Sequence, residues 1–304
     1  MEYVLQTNGL TKKYRHFKAL NQLTMNVPKG AIYGFVGKNG AGKTTLIRLI
    51  CGLQFPTSGG YTLYGRKDTD KDIFRSRRRI GAVVETPSIY LDMTAQDNLK
   101  YQYRILGLPS YAGMEDILKL VGLADTGDKR AGNFSLGMRQ RLGIAIALVG
   151  SPDFLVLDEP VNGLDPQGII EIRELILKLN RERQITFLVS SHILDELSRM
   201  ATHYGFIDRG QMVKEVSAAD LEKSCRKCIH LEVTDTGALA RVLDGMDVEY
   251  TILSDREADV YAKVAVSRLT LALAEQNCEV ISMQERNESL ESYYMSLIGG
   301  RKND

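Results

Sequence analysis

No stretch of this 304-residue chain stays apolar for the roughly 20 residues that a helix needs to cross a bilayer. The longest candidate, 142–157, is interrupted by Gly150-Ser151-Pro152-Asp153. The opening residues, Met1-Glu2-Tyr3-Val4, lack the basic and apolar regions of a signal peptide. The expectation is a cytosolic chain, with any membrane contact made by docking on a membrane protein. An excess of one charge is also missing. The net charge of +1 offers no bulk electrostatic pull toward nucleic acid. Cysteine is scarce, at four residues, and only Cys225-Arg226-Lys227-Cys228, with His230 nearby, has a metal-like spacing. Zinc needs four ligands and no second pair exists, so these are read as incidental thiols. No repeat or low-complexity segment stands out. What remains is the apolar and charged balance of a globular protein, 44% and 25%, at a length that suits two domains.

Against that plain background one motif is complete. Gly37-Lys38-Asn39-Gly40-Ala41-Gly42-Lys43-Thr44 spells G-x-x-x-x-G-K-[ST]. It follows the apolar run Ala31–Val36 and opens into Thr45-Leu46-Ile47-Arg48-Leu49-Ile50, which has helical character. That is the strand–loop–helix setting of a phosphate loop. Glycines let backbone N–H groups curl around phosphate oxygens, and the helix turns its positive end toward them. Lys43 brings a point charge to the β and γ phosphates, and the Thr44 hydroxyl can ligate Mg²⁺. The chain is therefore expected to bind ATP or another nucleoside triphosphate.

Up to about residue 215, strand and helix signals alternate. Strands are expected at Val4–Asn8, Leu23–Val27, Ala31–Val36, Tyr61–Tyr64, Ile80–Val84, Phe154–Leu157, Ile185–Ser190 and Tyr204–Asp208. Helices are expected at Lys43–Gly52, Thr94–Leu106, Met114–Val121, Leu136–Val149 and Gln167–Asn180; in the last, Ile169, Ile172, Leu175, Ile176 and Leu179 mark one face. The pattern is α/β, a largely parallel core with an added antiparallel edge. Arg75-Ser76-Arg77-Arg78-Arg79 reads as a solvated helix face, with anionic lipid contact as the alternative. From about Ala218 the rhythm changes to βαββαβ. Its strands are expected at 229–233, 248–253, 259–264 and 279–284, and its helices at 236–243 and 267–276. That order suggests a small ferredoxin-like α+β unit. A last amphipathic helix carries Leu290, Tyr293, Tyr294 and Leu297 at helical spacing, more a packing stripe than a ligand site. The division is a nucleotide-binding domain at 1–217 and an accessory domain at 218–304.

Leu157-Asp158-Glu159-Pro160 ends the most apolar strand. Asp158 falls where a carboxylate can hold Mg²⁺, and Glu159 where it can act as general base on a water. Adjacent carboxylates at a strand end also suit a solvated turn. Two further segments bear on the choice. Asn133-Phe134-Ser135-Leu136-Gly137-Met138-Arg139-Gln140-Arg141 opens a long helix, and Ser190-Ser191-His192 ends the next strand.

With these residues in view, the chain resembles the ATP-binding subunits of ABC transporters. The family signature, L-S-G-G-Q with a basic residue and Q-R after it, stands in register with Phe134–Met138 and Gln140-Arg141. The resemblance implies an ABC-type P-loop NTPase core with an antiparallel edge sheet and a helical subdomain. It implies that Gly37 to Thr45 cradle ATP, with Lys43 also serving catalysis. It implies that Ser135 and Gly137 grip the γ-phosphate of ATP held by a second subunit, although Ser135 also suits a plain N-cap. His192 matches the switch histidine, where a lone histidine is otherwise structural. Asp165, in Asn162-Gly163-Leu164-Asp165, matches a loop that works across the dimer, and it too can simply cap a helix. Tyr14 matches the adenine-stacking aromatic, or else a strand-edge one. Glu85, in Val83-Val84-Glu85-Thr86-Pro87, takes the place of the usual Q-loop glutamine, where a carboxylate can ligate Mg²⁺ but adds negative charge near the phosphates. Leu136 and Met138 also depart from the pattern, and Met138 cannot donate the bond that glutamine gives to ribose.

A narrower likeness is to bacitracin and lantibiotic resistance exporters, carried by Glu85, the Phe-Ser-Leu-Gly-Met signature, 162–166 and Ser289-Leu290-Glu291-Ser292-Tyr293-Tyr294. The partners it implies are a multi-spanning membrane permease and a second ATP-binding subunit, at the cytoplasmic face of the cell membrane. The competing reading is a soluble ABC ATPase that moves no solute. Translation-type members carry two cassettes in one chain, and repair-type members a coiled coil between the Walker motifs. This chain has one cassette and no sustained heptads there.

Overall fold

A computed structural model describes residues 2–224, 228–261 and 265–286, together with Tyr293 and Leu297. The chain forms two compact units, one reaching Ala218 and the next beginning at Ala219. The first opens with a long hairpin, β1 (Tyr3–Tyr14) and β2 (Phe17–Pro28). Period-two alternation makes it: Leu23, Met25 and Val27 are buried while Gln22 and Thr24 are exposed. β3 (Ile32–Val36) is buried along its whole length and delivers the chain to α1 (Lys43–Ile50). β4 (Ser58–Leu63) and β5 (Arg66–Lys67) complete an antiparallel sheet in the order β2-β1-β4-β5.

After α2 (Ile73–Arg77) and β6 (Ile80–Val83) come α3 (Ala95–Ile105), α4 (Met114–Leu120) and α5 (Leu136–Leu148), which pack on one another. β7 (Phe154–Asp158), α6 (Pro166–Arg183), β8 (Thr186–Ser191), α7 (Leu194–Ser198), β9 (His203–Asp208) and β10 (Gln211–Ser217) follow, and α8 (Ala218–Ser224) starts at the unit boundary. The second sheet has six strands in the order β10-β9-β3-β8-β7-β6. All its pairs are parallel except β10 on β9. β3, β7 and β8 bury every residue, as strands covered on both faces must. One core cluster joins both sheets through α1: Leu5, Leu23 and Tyr61 of the antiparallel sheet, Leu46 and Ile50 of α1, and Phe35, Phe154 and Val156 of the six-stranded sheet all belong to it. Truncating a buried phenylalanine such as Phe154 to alanine is worth about 3–5 kcal/mol.

β8 lies between β3 and β7 although it comes after both in the chain. The segments following these three parallel strands therefore open side by side at one edge, the usual place for a ligand in an open α/β sheet.

The structure differs from expectation where residues are polar. β10 is only partly buried along its length and shows no apolar alternation. It is held by Glu215, whose Oε1 accepts from Tyr33 Oη at 2.6 Å and from Asn26 N–H at 2.9 Å. The run 75–79 is not the solvated face expected: Ser76 is buried, Arg77 donates to Tyr61 Oη at 2.6 Å, and Arg79 pairs with Asp153.

The second unit contains β11 (Cys228–Val233), α9 (Thr236–Gly245), β12 (Tyr250–Ile252), β13 (Glu257–Val260), α10 (Val266–Glu275) and β14 (Val280–Arg286). Its sheet runs β12-β13-β11-β14 with every pair antiparallel. Leu231, Val233, Leu239, Leu243, Leu269 and Leu273 form a separate core. The strand expected at 259–264 is found at Glu257–Val260, and 262–264 lie outside the described residues. So do Cys225 and, apart from Tyr293 and Leu297, the last amphipathic helix. Among the described residues no helix is long and apolar enough to cross a membrane.

Candidate active site

The loop after β3 is shaped by close backbone packing. A Cβ on Gly37 would lie 2.6 Å from Ile207 Cγ2 and 2.7 Å from Ile207 O, so only glycine lets the loop rest on β9. Gly42 has φ 111°, and a Cβ there would meet Ala19 O at 2.5 Å. Gly42 also occupies the N-cap of α1, where it has no side chain to satisfy the first-turn N–H groups. Those N–H groups and the helix dipole suit an anion. Ala41 N–H donates to Lys38 O at 3.1 Å, closing the loop. Lys38, Asn39 and Gly40 form its exposed rim, and Thr44 and Thr45 are half-buried.

Lys43 is 6% exposed and turns back into the loop. Its Nζ donates to Gly37 O at 2.6 Å and to Lys38 O at 3.3 Å. It also lies 3.1 Å from Glu159 Oε1, an ion contact without hydrogen-bond alignment. The other oxygen, Glu159 Oε2, is 2.8 Å from His192 Nδ1. A carboxylate only accepts, so Nδ1 is the donor in this contact. Glu159 sits at φ 50°, a left-handed conformation that costs a residue with a side chain about 1–3 kcal/mol and concentrates at functional sites.

Asp158 is 1% exposed. Its Oδ1 accepts from Ser190 Oγ at 2.6 Å, while Oδ2 is buried with no hydrogen-bond partner. A buried carboxylate oxygen without a donor is costly unless a cation takes it. With the hydroxyl of Thr44 at the head of α1, this donor set is all oxygen and fits a hard divalent ion such as Mg²⁺.

The structure thus brings Lys43, Asp158, Glu159 and His192 together at the ends of β3, β7 and β8. The other expected residues stay with local partners. Ser135 is the N-cap of α5, accepting from Met138 N–H at 3.2 Å, and Gly137 lies in the first turn. Asp165 is the N-cap of α6, accepting from Gly168 N–H at 3.0 Å. Tyr14 ends β1, 40% exposed, with Lys12 Nζ 5.2 Å from its ring centre and its hydroxyl on Gln54. Glu85, at φ 61°, pairs with Arg48 of α1 at 2.6 Å, so its carboxylate charge is met by a guanidinium rather than left beside the loop. Ser190 escapes sequence reasoning altogether. In the sequence it is only a neighbour of His192; the β7–β8 register sets it opposite Asp158.

A family model described as ABC transporter matches residues 20–162. The bacitracin transport ATP-binding protein of Bacillus licheniformis is 40% identical over 305 residues, covering 99% of both chains. A lantibiotic transport ATP-binding protein of Streptococcus pyogenes is 42% identical over 212 residues, 70% of this chain and 90% of that one. Among solved structures, a dimeric ATP-binding cassette in a post-hydrolysis state with ADP and Pi matches at TM-score 0.63 and 25% identity, over 70% of this chain and 98% of that one. The ADP conformation of another ABC transporter cassette matches at TM-score 0.66 and 28% identity, over 74% and 94%. With the phosphate loop, the carboxylates and the histidine placed as described, the chain belongs to the ATP-binding proteins of ABC transporters and is the ATP-hydrolysing subunit of such a transporter.

Proposed function

We propose that two copies of this chain close over two ATP molecules and that hydrolysis drives export of a peptide antibiotic through a separate multi-spanning permease. The observation that supports it most is the convergence of Lys43, Asp158, Glu159 and His192 at three neighbouring strand ends. The N–H groups of Gly37 to Thr45 and the Lys43 ammonium bind the phosphates. Asp158 and Thr44 would hold Mg²⁺, which would supply positive charge to offset that of the phosphates. Glu159 takes a proton from the water that attacks the γ-phosphorus as the bond to the β-phosphate oxygen breaks. His192 holds Glu159 through Nδ1–H, and in the imidazolium form, where both ring nitrogens donate, its Nε2–H reaches a γ-phosphate oxygen. Ser135 and Gly137 at the α5 N-terminus cover the ATP of the other copy, and Asp165 acts across the same interface. Tyr14 stacks on adenine, worth about 1–3 kcal/mol. Glu85 and Arg48 link α1 to the segment that meets the permease at the cytoplasmic face. Residues 1–217 act as the nucleotide-binding domain and 218–304 as an accessory domain.

The peptide cargo is supported by relatives named for bacitracin and lantibiotic transport. The chain should be co-expressed with the membrane protein that co-purifies with it, in a bacitracin-sensitive host. Raised tolerance that Glu159→Gln abolishes is the expected result. Unchanged tolerance alongside an active ATPase would remove the cargo and leave the enzyme. Phosphate release by Glu159→Gln should fall about 10²–10⁴-fold, and a wild-type rate would remove Glu159 as base.

A further inference from the structure

We propose that Ser190 is a positioning residue that sets which oxygen of Asp158 is offered to the nucleotide's divalent cation. The proposal rests on the Mg²⁺ role given to Asp158 above. Ser190 is fully buried at the end of β8, directly opposite Asp158 on β7. Its hydroxyl has one proton, and that proton goes to Asp158 Oδ1 at 2.6 Å. A lone pair of the same oxygen accepts from Glu159 N–H at 3.0 Å. One hydroxyl therefore ties the two adjacent carboxylate residues together, the first through its side chain and the second through its backbone.

The consequence for Asp158 is asymmetric. A carboxylate at a strand end rotates about its last torsion over a broad, nearly two-fold well. The bond from Ser190 removes that freedom and occupies one oxygen. The other, Oδ2, is left buried and without a partner. A serine is well suited here because it donates once: a side chain with two donors would claim both oxygens and close the site. The Glu159 backbone is less dependent on the hydroxyl, because its N–H also reaches Ser190 O at 3.2 Å. Loss of the hydroxyl is therefore expected to act mainly through Asp158 and the cation, as other partners of metal-binding carboxylates do.

The test compares wild type with Ser190→Ala, Ser190→Thr and Ser190→Val. Threonine and valine share one shape and differ in the hydroxyl, so the pair separates hydrogen bonding from packing. Binding of a fluorescent ATP analogue is followed while Mg²⁺ is titrated, and again in EDTA. Mn²⁺ affinity in the presence of ATP is read by electron paramagnetic resonance. In Ala and Val the half-saturating metal concentration should rise about 10–100-fold. Thr should stay near wild type, and binding in EDTA should be the same in all four. Wild-type metal dependence in Ser190→Ala overturns the proposal, as does an equal shift in Thr and Val. A loss in EDTA as large as that in Mg²⁺ also overturns it, since that marks a purely structural serine. If wild type itself shows no metal dependence, the Mg²⁺ role of Asp158 falls first and this inference falls with it.

Discussion

Lys43 Nζ and Glu159 Oε1 stand 3.1 Å apart, the ammonium 6% exposed and the carboxylate 19%. The residue proposed to bind phosphate and the residue proposed to take a proton from water are thus direct electrostatic partners. Every acceptor around Lys43, namely Gly37 O, Lys38 O and Glu159, competes with a phosphate oxygen for the same cation. Glu159→Gln removes the charged competitor. It should therefore bind ATP more tightly than wild type, by up to about tenfold or ~1.4 kcal/mol. Equilibrium nucleotide binding checks this, and weaker binding by the variant would remove the competition.

Gly40 and Gly42 both have positive φ, at 81° and 111°, yet they should respond differently to alanine. Around Gly40 nothing lies within 4 Å of an added Cβ, so only the left-handed backbone is penalised, at about 1–2 kcal/mol. At Gly42 the Cβ meets Ala19 O at 2.5 Å and Leu20 Cδ2 at 2.9 Å, so the loop must move off β2. Gly42→Ala should lose ATP binding and cost more in urea denaturation than Gly40→Ala. Equal losses in the two variants would contradict the packing argument.

Arg48 and Glu85 form a short ion pair whose side chains are 38% and 56% exposed. Solvent screens such a pair, so its stability contribution is held to about 0.2–1 kcal/mol. A double-mutant cycle with Arg48→Ala and Glu85→Ala, followed by denaturation, should return a coupling in that range. The coupling should vanish near 1 M salt, where the screening length falls to about 3 Å. A coupling that survives high salt would mean the pair is drier than its exposure indicates.

Burial pushes the Cys51 thiol up from 9.0 to about 12, against the lowering effect of Arg77. Few thiolates then exist at pH 8, and iodoacetamide should label Cys51 far more slowly in the native protein than in guanidinium. The folded protein holds this proton more tightly than the unfolded chain. The associated stability is present below about pH 9 and is lost as pH rises from there toward 12. Peptide mapping after timed alkylation gives the labelling rate, and rapid native labelling would place Cys51 nearer solvent.

Much of the candidate site was legible as a pattern because short-range signals carry it. The spacing of Gly37, Gly42, Lys43 and Thr44 encodes a turn into a helix, and the run Phe154–Leu157 announces a doubly covered strand. Buried strands and amphipathic helices showed themselves through periodicity. β10 did not, since its anchor is Glu215, a polar residue paired with Tyr33 from far upstream. Arg77 likewise sits in a basic run, and its contact with Tyr61 is visible only in the folded chain.

Taken alone, the sequence determined the phosphate loop, the acidic pair at the end of an apolar strand, the histidine after the next one, and through them the family. Local sterics and periodicity are enough for that. Tertiary structure decided which of these groups touch. Placing β8 between β3 and β7 sets His192 on Glu159, Glu159 on Lys43 and Ser190 on Asp158. Strand order and register are set by how whole faces are buried, a property of the packed sheet that no single segment contains.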